Sequence, residues 1–125
     1  MAEYLRRLDD IPGFSVVPLP GHDQTRAFDK ILIDRVTGSS NFMLLWCRLA
    51  AGSGAESHTH PSEQGFYILS GTLKVTIAGE DYIAGPNSSV FVPAGVEHST
   101  RAEGEEPAVF LGILSPPMDF DNRPH

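Results

Sequence analysis

An all-β sandwich or barrel is the fold class this sequence predicts, and three observations carry it. Short apolar runs alternate with polar residues at a period of two, and 12 glycines and 10 prolines are scattered along the chain. No helical periodicity crosses the middle of the chain. The 125 residues suit one domain with one hydrophobic core. We expect a single domain over 1–125, with a core barrel over about 30–115, a strand-bearing N-terminal arm over 1–29 and a C-terminal tail over 116–125.

The first expected element is a short helix over 3–10, ended by Ile11-Pro12-Gly13. Strands follow around 14–17 and 30–36, with the turn Pro20-Gly21-His22-Asp23 between them. Residues 42–49 form an apolar strand that runs into Ala51-Gly52-Ser53-Gly54. Strands over 65–69 and 73–77 flank Ser70-Gly71; Leu73, Val75 and Ile77 alternate with Lys74 and Thr76, leaving one face wet. Ala78-Gly79-Glu80-Asp81 reads as a hairpin loop leading to Tyr82-Ile83. A strand over 90–92 lies between Gly85-Pro86-Asn87 and Pro93-Ala94-Gly95. Residues 109–114 lack polar alternation and read as a strand covered on both sides. Pro116-Pro117 begins a loose tail, or an arm laid on a neighbour. Many short strands with tight turns give a sandwich or a barrel.

Charge and composition exclude several function classes. A net charge of −7 gives an acidic surface, which neither nucleic acid nor an anionic membrane attracts, so neither is an expected partner. No stretch has the length of a membrane span, and the N-terminus lacks a basic-then-apolar signal pattern. The lone Cys47 excludes an intrachain disulfide and fits a reducing cytoplasm, the expected location.

Chemistry concentrates in His58-Thr59-His60 and in His98, which ends the run Val92-Pro93-Ala94-Gly95-Val96-Glu97-His98. Two histidines one residue apart share a face if their segment is a strand, and a third can converge on that face from a neighbouring strand. Any one of them alone reads as a surface or hydrogen-bonded core residue. Three converging imidazoles make a site for a borderline transition metal. His22 in its turn and the terminal His125 are expected to be solvated. If the chain turns at Pro61-Ser62, Gln64 can face the same interior with Phe66 and Ile68, as a weak fourth ligand through its amide oxygen or as a partner of metal-bound water.

The order Gly52-x5-His58-Thr59-His60-x3-Gln64-x6-Gly71, then Pro93-Ala94-Gly95-Val96-Glu97-His98, resembles the two motifs of the cupin superfamily, small β-barrels of jelly-roll type. The resemblance spans Gly52 to His98 and implies a divalent metal held by His58, His60, Gln64 and His98. Three positions depart from the family pattern. Gln64 stands where a glutamate is usual, Asn87 where the second motif opens on glycine, and Ala102 where it closes on asparagine. Asparagine tolerates the left-handed backbone a turn requires, so Asn87 leaves the fold expectation intact. Three histidines and a neutral amide leave the ion its full charge, which favours Lewis-acid chemistry and anionic substrates.

Arg48 shares strand parity with Trp46, opposite to Leu45 and Cys47. It is a candidate to grip a substrate carboxylate bidentately, weighed against a plain surface arginine. Gln64 and Arg48 are thus the candidate catalytic residues. Glu63 and Glu97 read as solvent-facing, Cys47 as a small buried hydrophobe, and only one of Phe66 and Tyr67 can face the cavity. The family resemblance implies a metal-dependent enzyme acting on a small anionic or oxygen-rich organic substrate. A dioxygenase using Fe(II) is foremost; an isomerase or ring-opening enzyme for sugar acids, using Ni, Mn or Zn, is the alternative, as is a non-catalytic barrel that binds a small ligand. Sheet edges that need cover, and strands beyond those one barrel requires, predict a homodimer.

Overall fold

The computed structural model describes residues 4–16 and 26–119. The strand end expected at Val17, the turn at His22, and residues 120–125 of the tail, with His125, lie outside them.

The described residues form ten strands in chain order: β1 (Phe14–Ser15), β2 (Ala27–Ile33), β3 (Met43–Leu49), β4 (Gly54–His58), β5 (Glu63–Ser70), β6 (Thr72–Ile77), β7 (Glu80–Ala84), β8 (Ser89–Val92), β9 (His98–Glu103) and β10 (Ala108–Ser115). They make a six-stranded sheet in the order β1-β2-β3-β10-β5-β8 and a four-stranded sheet in the order β4-β9-β6-β7. Every pairing is antiparallel. Two packed antiparallel sheets with these crossovers are a jelly-roll, all-β architecture. No helix among the described residues is long and apolar enough to cross a membrane.

Alternation of side chains builds the core. Met43, Leu45, Cys47 and Leu49 point inward from β3, Phe66 and Ile68 from β5, and Phe110 and Leu114 from β10. Leu73 and Val75 of β6, Ala84 of β7 and Ala102 of β9 meet them from the smaller sheet. The Phe66 and Phe110 rings pack edge to face at 5.4 Å.

Several sequence expectations need correction. The helix over 3–10 is a single 3-10 turn, Leu8–Asp10. This segment is held by tertiary contacts instead: Arg6 donates to the carbonyls of Ile31 and Leu32, and Lys30 to that of Leu8. The strand placed at 30–36 lies at Ala27–Ile33, because Asp34 closes a turn by accepting from the Val36 backbone amide. The four-residue loop at 78–81 is a two-residue turn: Ala78 and Gly79 both have positive φ, and Ile77 pairs with Glu80. β10 is covered on one face only, since Ile113 on the other is 48% exposed.

Candidate metal centre

His58 is the last residue of β4 and His98 the first of β9, and the two are register partners across that pair. His60 is not on the strand, contrary to the shared-face expectation. Pro61 has no N–H for a ladder, and the chain bends there toward β5. Its ring reaches the same point through a loop, fixed by the Gly95 amide donating to the His60 carbonyl at 2.9 Å. Gly95 takes φ +76°, a conformation that glycine adopts without strain, in the turn that delivers His98.

The three rings form one cluster. His58 and His98 centroids lie 4.4 Å apart, His60 and His98 4.7 Å, and His58 and His60 5.6 Å. One nitrogen from each falls within 4.8 Å of the others. Each Nδ1 is engaged by a backbone carbonyl two residues away: His58 by Glu56 at 2.6 Å, His60 by Ser62 at 2.9 Å and His98 by Val96 at 2.9 Å. A carbonyl can only accept, so each Nδ1 carries the proton and each Nε2 keeps its lone pair. This is the arrangement by which outer partners orient metal-binding imidazoles.

Two observations test whether a metal fits here. His98 Nε2 is buried with no hydrogen-bond partner among the described residues, an uncompensated acceptor at the centre of the cluster. Gln64 Oε1 lies 2.9 Å from His60 Nε2, although both atoms present lone pairs. That contact repels unless the amide turns its NH2 inward or a cation takes both atoms. Burial lowers the His98 pKa, with His58 and His60 adding to the effect and the Val96 carbonyl opposing it. A neutral imidazole is the form that binds a metal. The donor set of three nitrogens and one amide oxygen suits a borderline divalent ion.

The cluster lines a cavity of about 170 Å³ whose other walls are mostly apolar, including Leu45, Leu49, Phe66, Phe110 and Met118. Gln64 belongs to it, on β5 beside the histidines. Arg48 does not. It points out of the opposite face of β3 from Cys47 and stacks over the Phe28 ring at 5.2 Å. The expectation that Arg48 grips a substrate at this site is therefore corrected: its neighbours in the strand face the interior and it faces solvent. Of the pair left open, Phe66 lines the cavity while Tyr67 lies outside and donates to Asn87. Glu63 and Glu97 are exposed, the latter accepting from Ser57.

Asp29 was missed in the sequence. It lies on β2 across from Cys47, is 5% exposed, lines the same cavity, and leaves Oδ1 without a hydrogen-bond partner among the described residues. Burial pushes its carboxyl up to about 6, while a hydrogen bond with Cys47 pulls the other way. The Cys47 thiol is pushed well up, by burial first and then by the Asp29 carboxylate. The available signal was strand parity: Asp29 shares the phase of Ile31 and Ile33, so an acid stood in an apolar row.

The chain is 29% identical over 98 residues to the tetracenomycin polyketide synthase protein TcmJ of Streptomyces glaucescens, 78% of this chain and 66% of that protein. It is 32% identical over 82 residues to the polyketide synthase CurC of Streptomyces cyaneus, 65% of this chain and 53% of that one. It thus spans less than two thirds of these relatives' lengths. The structure of the polyketide cyclase RemF from Streptomyces resistomycificus superposes with a TM-score of 0.75 over 100% of this chain and 89% of that one, at 23% identity, a likeness of fold. The Cupin domain family matches residues 45–114, more than half of the 125, and the chain belongs to that family.

Proposed function

We propose that this chain is a metal-dependent enzyme that acts on an oxygen-bearing, largely apolar organic molecule by moving protons at carbon next to a carbonyl, as a polyketide cyclisation requires. The observation that carries this reading is the convergence of three Nε2 lone pairs in the wall of a mostly apolar cavity. A divalent ion held by His58, His60 and His98, with Gln64 as fourth ligand, would supply positive charge to a substrate oxygen. The carbonyls of Glu56, Ser62 and Val96 keep the three rings in the required tautomer. Phe66, Phe110 and Leu45 exclude water around the bound molecule and pack an aromatic or polyketone skeleton. No lysine or arginine among the described residues lines the cavity, so a sugar acid would find no cationic partner there beyond the ion. The polyketide-associated names of TcmJ, CurC and RemF agree with this substrate class.

A dioxygenase is the second reading, favoured by four neutral donors that leave coordination positions for dioxygen and a chelating substrate; Fe(II) would then be the ion, and Zn, Ni or Mn otherwise. The protein works as a homodimer in the cytoplasm on this reading. Tyr67, Leu69, Phe91 and Ile113 leave the outer face of the larger sheet apolar, and Cys47 is a buried free thiol.

Elemental analysis of tag-free protein, joined to turnover of an aromatic polyketone in air and under nitrogen, tests these readings. Near-stoichiometric metal with equal rates in both gases supports the redox-neutral enzyme. Oxygen uptake that matches product supports the dioxygenase. Failure to retain any divalent metal after reconstitution removes both.

A further inference from the structure

We infer that Asp29 is the catalytic residue that takes a proton from the substrate carbon and returns it, working from the opposite sheet to His58 and His98. This deepens the proposed function and rests on that reading. Five titratable side chains among the described residues line the cavity: His58, His60, His98, Cys47 and Asp29. The three imidazoles direct their lone pairs at one another and are committed to the ion. The Cys47 thiol is held protonated by burial and by Asp29, so it donates to the carboxyl instead of acting as a base. Asp29 remains.

Its geometry suits the role. β2 turns Asp29 inward with Ile31, and β3 places Cys47 directly across from it. From β1 the register partner is Phe14, which carries no charge. One carboxylate oxygen can take the Cys47 hydrogen bond; Oδ1 has no hydrogen-bond partner among the described residues, in a cavity made mostly of hydrocarbon. A purely structural acid would have both oxygens satisfied, because an unpaired buried acceptor destabilises the fold. Asp29 lines the cavity with Oδ1 buried and unpaired among the described residues, so a molecule that enters and reaches it supplies the missing partner, and perturbed carboxyls in clefts are where general bases are found.

The step balances without an oxidant. Oδ1 forms an O–H bond with a hydrogen on the carbon beside a ketone. The C–H electron pair becomes the enolate double bond, and the negative charge passes to the carbonyl oxygen. The enolate carbon then either recovers the proton from Asp29 or bonds to a second carbonyl carbon of the same molecule. In the latter case the new alkoxide takes the Asp29 proton, and a ring is closed.

The test uses the full chain loaded with metal and phenylacetone in heavy water, with deuterium entry at the α-carbon followed by NMR. We expect Asp29→Asn to lose at least about 100-fold in exchange rate. Its metal content should match the wild type, because the amide still accepts from Cys47 and Asp29 is not one of the clustered proposed ligands. A second readout needs no turnover. In protein carrying 13C-labelled aspartate carboxyls, the resonance missing from Asp29→Asn should shift when phenylacetone is added. Cys47→Ala should move the acid limb of the pH–rate profile upward, since the carboxylate loses a donor. Wild-type exchange in Asp29→Asn overturns the role of Asp29 and leaves the metal enzyme standing. Metal-loaded wild type that exchanges nothing overturns both.

Discussion

His98 shows how much a single side chain contributes at this site. Its Nδ1 is tied to Val96, its Nε2 has no partner among the described residues, and it is 2% exposed. We expect His98→Ala to lose bound metal on elemental analysis while keeping the β-rich circular dichroism spectrum of the wild type. Full metal content in that variant would sink the three-histidine site. Asp29 gives a prediction of a different kind. Its folded carboxyl titrates at about 6 against 3.8 ordinarily, so the folded state binds the proton more tightly than the unfolded one. Stability is then greatest below about pH 4 as far as this group is concerned, and falls as pH rises through about 6, by roughly 3 kcal/mol in all. Asp29→Asn should lack that fall and be more stable than wild type at pH 7 in the apo form, measured by urea denaturation at pH 4.5 and 7. At this scale the clustering of His58, His60 and His98, with Gln64 beside His60, was legible because their spacing is a local property of the chain. Asp29 was not, because its partner Cys47 and the cavity it faces are brought to it by strand pairing.

Among the elements, those with a strict period of two were read most closely. Leu73 and Val75 alternate with Lys74 and Thr76 and bury as expected. Asn87 has φ 65°, the left-handed backbone inferred from its place in the turn. The small sheet was harder to read: β4, Gly54–His58, and β9, His98–Glu103, are rich in polar residues, and no residue of β4 is fully buried. The short N-terminal segment misled for the opposite reason, its helical composition being overridden by contacts with β2. Gly71 joins β5 to β6 with φ +73°, and a Cβ there would strike the Pro107 carbonyl. Gly71→Ala should therefore cost more than about 1 kcal/mol, read as a lowered denaturant midpoint at unchanged m. The open side of Gly79 offers a control, since nothing lies within 4 Å of a Cβ there and only its φ of +85° resists alanine.

At the level of the whole molecule, the outer surface of the six-stranded sheet is the feature that sequence periodicity misjudged. An unbroken apolar run at 109–114 suggested cover on both sides, yet Ile113 is 48% exposed and Phe91 on β8 is 58% exposed. The pattern was read correctly as apolar; what it could not reveal is that no described element supplies the second cover. A second copy is the proposed cover. We expect the wild type to sediment as a dimer at micromolar concentration and Ile113→Lys to sediment as a monomer with its barrel spectrum intact. A monomeric wild type would remove the dimer from the proposal.

The proposed ligands come from both layers, His58 and His98 from the four-stranded sheet and Gln64 from the six-stranded one, with His60 in the loop between β4 and β5. An ion bound there would act as a rivet through two plates. Whatever slides or parts the plates strains the rivet, and the rivet in turn resists the parting. Heat, pressure or denaturant would then empty the site while most of each plate is still intact, and metal release would sound an early alarm for the barrel as a whole.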